Sequence, residues 1–327
     1  MTSKTPRTGN QYSIHYGDYS AVICELGAKI RRFDYQGKEI FCPFGVNDLT
    51  PTCNGYVLAP WPNRIENGEY DFNGKHYCAP VNEYHPAPRN NANHGYAYHY
   101  MWKLESLTDS AVTLSLRFPN LDGYPFDVTV TVTYELGDNG MTATVNARND
   151  GDEPAPWALG LHPWLANGKR GATAAERDAD SAACHLQIKA ASHVTVNEAL
   201  IPTGTEPVTG IYDLNDGPTL EGRAFDDAWV DVERAADGTT TTTFTRPDGI
   251  EVKENLGADG HPVDDGLPQR VIVGIEFDRR AEDAVTEYAA VIEPDGPRGA
   301  GCERDEVDDY QREESVRGAY SEHEIGR

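Results

Sequence analysis

Basic residues are scarce in this sequence: 28 Lys and Arg stand against 53 Asp and Glu, which leaves a net charge of −25 and a pI near 4.6. A surface of that sign repels phosphate backbones and anionic lipid, so neither nucleic acid nor a membrane is an expected partner. Long apolar runs are lacking as well. Nowhere do about 18 apolar residues follow one another, and nothing apolar follows Met1-Thr-Ser-Lys-Thr-Pro-Arg7, so neither a membrane span nor a signal peptide is expected and the cytoplasm is the expected location. The six cysteines, at 24, 42, 53, 78, 184 and 302, form no Cys-x-x-Cys pair and have no His at zinc-finger spacing. They read as reduced packing residues, with neither a zinc site nor a redox motif indicated. Amphipathic helices are missing too: the best candidates, near 174–182 and in the tail, carry no clear apolar stripe. No repeat of fixed period occurs, which disfavours a propeller or solenoid.

What the sequence does have is strict alternation. Phe126-Asp-Val-Thr-Val-Thr-Val-Thr-Tyr134 places Phe126, Val128, Val130, Val132 and Tyr134 on one face; Asp138-Asn139-Gly140 then turns the chain into the alternating run Met141–Ala147. Val112, Leu114, Leu116 and Phe118 alternate just upstream, and Tyr70 and Phe72 lead through Asn73-Gly74 to Tyr77. Further strands are expected at 21–26, 30–35, 184–190, 227–232, 239–245, 250–254 and 270–277, separated by Gly, Asn and Asp turns. The expected fold is all-β, a large antiparallel β-sandwich. No composition break serves as a linker, so 1–327 reads as one domain with a core over about 12–300 and an acidic, polar segment at 303–327.

Ionisable residues stand where strands should meet loops. The apolar run Tyr288-Ala-Ala-Val-Ile292 delivers Glu293 into Pro294, and a carboxylate at the end of a buried strand is costly unless something uses it. His94-Gly95 follows the polar run Asn90-Asn91-Ala92-Asn93, and His162-Pro163-Trp164 ends the apolar run Trp157–Leu161. One carboxylate and two imidazoles so placed suggest acid–base chemistry, and Trp164 beside an imidazole suits a sugar face. The loop Trp61-Pro62-Asn63-Arg64 offers a guanidinium fork for hydroxyls or a carboxylate, and Asp226-Asp227 precedes an apolar run. Taken alone, Arg64, His94 and Asp226 read better as structural residues, and His162 reads equally well either way. A metal held by His94, His99 and His162 would match no helix-based ligand spacing.

Taken in order, Asn63-Arg64-Ile65 with Asn67-Gly68, Asn93-His94-Gly95, Gly160-Leu161-His162-Pro163-Trp164, Phe225-Asp226 and Glu293-Pro294 resemble the aldose 1-epimerase (galactose mutarotase-like) family over roughly 20–300. The resemblance implies a supersandwich with a concave sugar site and an isomerase acting on a small-molecule sugar without cofactor or metal, as a monomer or homodimer. It also implies roles: Glu293 as general base, His162 as general acid, and His94, Arg64, Asp226, Asn63 and Trp164 around the substrate. Galactose-type members often carry Asn where Gly160 stands, and Tyr-Phe where Trp164-Leu165 stands. Members acting on hexose phosphates carry Arg where Tyr98 follows His94-Gly95-Tyr96-Ala97. A neutral aldose is therefore the expected substrate, with a hexose 6-phosphate, or sugar binding without catalysis, as the alternatives.

Overall fold

The computed structural model describes residues 5–48, 53–167, 181–259 and 269–278. Glu293, the expected strand at 288–292, the segment 279–286, the tail at 303–327 and most of the helical candidate at 174–182 lie outside the described residues.

Strands dominate. The first are β1 (Gln11–Tyr16), β2 (Tyr19–Cys24), β3 (Ile30–Tyr35) and β4 (Lys38–Glu39), then the short β5 (Tyr56–Leu58), β6 (Arg64–Glu66), β7 (Glu69–Phe72), β8 (Lys75–Cys78) and β9 (Asn91–Asn93). The longer β10 (Lys103–Leu107), β11 (Ala111–Phe118), β12 (Val128–Gly137) and β13 (Gly140–Asn149) follow, then β14 (Gly160–His162), β15 (His185–Ile188), β16 (Ala190–Val196) and β17 (Pro202–Pro207). Last come β18 (Trp229–Val232), β19 (Thr240–Thr245), β20 (Glu251–Asp259) and β21 (Gln269–Asp278). Every ladder between these strands is antiparallel.

The main sheet has eight strands in the order β10-β11-β12-β13-β21-β20-β19-β15. Its pairing follows from side-chain periodicity: Val128, Val130, Val132, Tyr134 and Leu136 are buried, and so are their cross-strand partners on β11 and β13 apart from Asn149 at the sheet end. A slip of one residue would carry this whole apolar set to the outer face, so the register is strongly specified. The intervening threonines stay half-buried, and Thr113 and Thr133 pair through their hydroxyls at 2.9 Å. The sheet β1-β2-β3-β4 supplies a facing apolar layer, with Ile14, Tyr19, Ala21, Ile23 and Phe33 buried in the shared core. The Tyr134 hydroxyl donates to the Ala28 carbonyl at 2.9 Å, tying the main sheet to the β2–β3 turn. Among the described residues no helix is long and apolar enough to cross a membrane.

Two differences from the sequence reading have plain causes. The apolar run from Trp157 becomes strand only at Gly160–His162. Strands β10 and β17 were not expected, because every residue of each is exposed and neither shows alternation. A third difference concerns the cysteines: Cys24, Cys42, Cys53 and Cys184 are reduced, whereas Cys78 is disulfide-bonded, which corrects the all-reduced reading.

Lys29 is the costliest member of the core. It is 1% exposed, and its ammonium sits 4.0 Å over the centre of the Tyr56 ring. Burial lowers its pKa from 10.5 to about 8, with the nearby Cys24 and Cys53 thiols pulling weakly the other way. The unfolded chain therefore binds the proton more tightly, and the folded state carries a penalty below about pH 8 that fades as pH rises toward 10.5. Lys29→Met should be more stable than wild type at pH 7, by on the order of 2 kcal/mol, in urea titrations. The gap should narrow between about pH 8 and 9, before thiol and phenol ionisation intervene; a pH-independent gap would contradict the assignment.

Candidate active site

Two short ladders carry the candidate residues. In the first, β5 pairs β14 with His162 opposite Tyr56; in the second, β6 pairs β9 with Arg64 opposite Asn93, so that His94 leaves β9 directly. They meet where Ala59 bridges Gly95: the N–H groups of Tyr96 and Ala97 both donate to the Ala59 carbonyl, at 2.8 and 3.0 Å. Trp61, buried, donates its indole N–H to the Ala92 carbonyl at 3.3 Å and so fixes the intervening loop.

Asn63 and His94 interlock. The His94 N–H donates to the Asn63 carbonyl at 2.8 Å, and the Asn63 N–H donates to His94 Nδ1 at 3.0 Å. Both residues hold left-handed backbone, φ +56° and +65°, which is tolerable for Asn and uncommon for His. An accepting Nδ1 leaves the proton of the neutral ring on Nε2. His162 is set the same way, because the Trp164 indole N–H donates to its Nδ1 at 3.2 Å. Both imidazoles are buried, their centres 5.5 Å apart and their planes near perpendicular at 86°. The two Nε2 atoms therefore belong to one small region.

Arg64 lies in the same region, already engaged. Its Nε and Nη2 donate to the two Glu83 oxygens at 2.9 and 3.1 Å, and its Nη1 donates to Asn63 Oδ1 at 3.1 Å. Asp226, about half exposed, approaches Nη2 at 4.0 Å. Glu83 also accepts from Arg89 Nη1 at 3.2 Å and Asn91 Nδ2 at 2.8 Å. Burial is the largest single influence on Glu83 and pushes its carboxyl up, but the bonds from Arg64 and Asn91 and the two Arg charges together outweigh it and hold it below the ordinary range. Glu83 thus stays ionised at neutral pH.

The structure therefore brings His94, His162, Asn63, Arg64, Asp226 and Trp164 into connected contacts; Glu293 lies outside the described residues. Trp164, expected as a floor beneath a sugar, has its indole N–H on His162. His99 packs on Tyr98 with ring centres 3.9 Å apart. Among the described residues no group of three or more His, Cys, Asp or Glu is arranged to hold a metal ion. Sequence reasoning missed Glu83, which no short-range pattern links to Arg64.

Because Trp164 supplies the donor that selects the His162 tautomer, Trp164→Phe should free the ring to place its proton on Nδ1. The 15N shifts of His162 should then move from the Nε2–H pattern, and any turnover at this site should fall by about 10- to 100-fold. Unchanged shifts would show that something else fixes the tautomer.

Comparison with known proteins places this geometry. The chain is 35% identical over 159 residues to the uncharacterized protein YihR of Escherichia coli, covering 48% of this chain and 51% of that protein. It is 28% identical over 216 residues to the galactose mutarotase of Mus musculus, covering 63% and 58%. These matches thus span only about half the length of the curated relatives. Among solved structures, an aldose epimerase homologue from C. elegans superposes with a TM-score of 0.64 at 20% identity, over 81% of this chain and 89% of that one. A galactose mutarotase-like protein from Clostridium acetobutylicum gives 0.63 at 16% identity, over 84% and 94%. At such identities the superpositions establish the fold, which is galactose mutarotase-like. The model of the aldose 1-epimerase family matches residues 10–252, taking in both imidazoles, Arg64 and Asp226, and the chain belongs to that family.

Proposed function

We propose that this protein is an aldose 1-epimerase interconverting the α and β anomers of a neutral aldose. The observation that carries the reading is the pair of buried imidazoles, centred 5.5 Å apart, whose Nδ1 atoms both accept from fixed N–H donors, so that both rings are locked in place beside Arg64. Anomerisation removes the proton from the anomeric hydroxyl while the ring oxygen gains one. The ring opens to an aldehyde, the carbonyl carbon rotates about its bond, and closure reverses both transfers. In this reading His162 Nε2–H serves the ring oxygen and Glu293 takes the anomeric proton, each contributing roughly 10²–10⁴-fold. His94 and Arg64 stabilise negative charge developing on oxygen, and Asp226 and Asn63 engage hydroxyls.

Charge balance supports an uncharged sugar. The guanidiniums of Arg64 and Arg89 are offset by the carboxylates of Glu83 and Asp226. Tyr98, where phosphate-acting members carry Arg, stacks on Tyr56 and accepts from Asn82 Nδ2. A phosphate dianion wants unpaired bidentate donors.

Polarimetry on freshly dissolved α-glucose and α-galactose tests the proposal. Accelerated mutarotation of either, with kcat/KM above that for the matching 6-phosphate at physiological salt, is the expected result. No acceleration of any sugar would leave a binding protein of the same fold. Within an active enzyme, Glu293→Gln should lower turnover at least about 10²-fold while the fold persists. His162→Ala should act mainly on kcat, and His94→Ala on both kcat and KM, because a ligand contributes to the ground state as well as the transition state. The reverse pattern would give the acid role to His94.

A further inference from the structure

Glu83 has no role in any reading so far, yet it is the most heavily engaged carboxylate beside the two imidazoles. Four donors converge on it: Arg64 Nε and Nη2, Arg89 Nη1 and Asn91 Nδ2. Its backbone is fixed as firmly, since Glu83 and Asn91 exchange N–H to carbonyl bonds at 3.0 Å in both directions. Asn91 is fully buried, and its Oδ1 has no hydrogen-bond partner among the described residues, so its amide is held at Glu83 through Nδ2 alone.

The arrangement has a geometric and an electrostatic consequence. An arginine presents five N–H donors. Glu83 takes two from Arg64, on Nε and Nη2, and Asn63 takes one on Nη1, leaving one on each terminal nitrogen. Those two are spaced for the oxygens of neighbouring hydroxyls, and the Glu83 clamp spares the side chain the entropy of being ordered by the sugar. Electrostatically, Glu83 places one negative charge between two guanidiniums. Without it, among the described residues, Asp226 alone would stand against Arg64 and no carboxylate against Arg89, and the subsite would be one charge more positive.

We propose that Glu83 is a specificity-determining positioning residue: it aims the Arg64 fork at the sugar hydroxyls and, by cancelling guanidinium charge, makes the subsite prefer an uncharged aldose over one bearing a carboxylate. The inference rests on the mutarotase reading of this site.

The test compares wild type, Glu83→Gln and Glu83→Asp on one neutral aldose, whichever of glucose and galactose is turned over faster, and on its C6 uronate. For Glu83→Gln, KM for the neutral sugar should rise about tenfold with kcat within about threefold, and the uronate-to-neutral ratio of kcat/KM should rise at least about tenfold. Glu83→Asp keeps the charge but is one methylene too short to clamp both guanidiniums. It should raise the neutral-sugar KM and leave the ratio alone, so that the ratio moves only in the variant that loses the charge, a contrast that general loosening of the site in both variants would not produce. A folded Glu83→Gln enzyme with a ratio within about twofold of wild type overturns the proposal. If the Gln variant does not fold by circular dichroism, Glu83→Asp decides alone: an unchanged KM overturns it. Titration calorimetry with the same two sugars reads the affinity ratio without turnover. A wild-type protein that binds sugar but accelerates no mutarotation therefore defeats the functional reading while leaving the role of Glu83 measurable.

Discussion

The site depends on one backbone contact, the seat of Gly95 against Ala59. A Cβ at Gly95 would lie 2.3 Å from the Ala59 carbonyl oxygen and 2.5 Å from its carbon, and the backbone there is left-handed at φ +63°. Only glycine meets both demands. Through this contact the β6–β9 ladder, with Arg64 and His94, is held against the β5–β14 ladder, with His162. Neither ladder exceeds three residues per strand, and two-stranded pairs of that length have no independent stability. Their order comes from the large sandwich around them and from junctions such as this one.

Strain is concentrated in the same place. Asn63 and His94 both sit at positive φ, a conformation that costs on the order of 1 kcal/mol or more for a residue with a side chain. Their reciprocal hydrogen bonds offset part of that cost and convert it into orientation, since the same turn that strains Asn63 points its N–H at His94 Nδ1. Gly160 shows a second local limit. A Cβ there would lie 2.9 Å from the Pro62 Cβ, so the Asn carried at this position by galactose-type members would require Pro62, the neighbour of Asn63, to move. The packing of Gly160 against Pro62 is therefore coupled to the Asn63–His94 turn.

Much of the fold was legible because burial and strand period coincide. Val128 to Tyr134 alternate in sequence, and the structure buries those same side chains; Ile30–Tyr35 was delimited correctly because a turn glycine and an apolar start bound it. Strands β10 and β17 were invisible for the opposite reason, since an exposed edge carries no apolar alternation. At the site, the proximity of His94 and His162 followed from family order, while neither spacing nor composition announces an approach of two residues so far apart in the chain. The tautomer-setting donor of Trp164 and the clamp of Glu83 on Arg64 depend on tertiary register, which no local pattern encodes. Composition reveals the aromatic ring of Trp164 but not the direction of its N–H.

That direction constrains how a proton can reach the substrate. In the mechanism we propose, the indole N–H on Nδ1 keeps the proton of a neutral His162 ring on Nε2, on the side from which it would be passed to the ring oxygen. As that proton moved, the Trp164 N–H would stabilise the ring from the other side. The orthogonal His94, whose Nδ1 also accepts from a fixed donor, would not take a proton at that atom. Anomerisation consumes no proton overall: in the proposed mechanism what His162 lends on ring opening returns on closure, and the carboxylate assigned as base does the same in reverse. An indole that holds one tautomer through both steps suits such a loan, because the ring that gives the proton stays oriented to take it back.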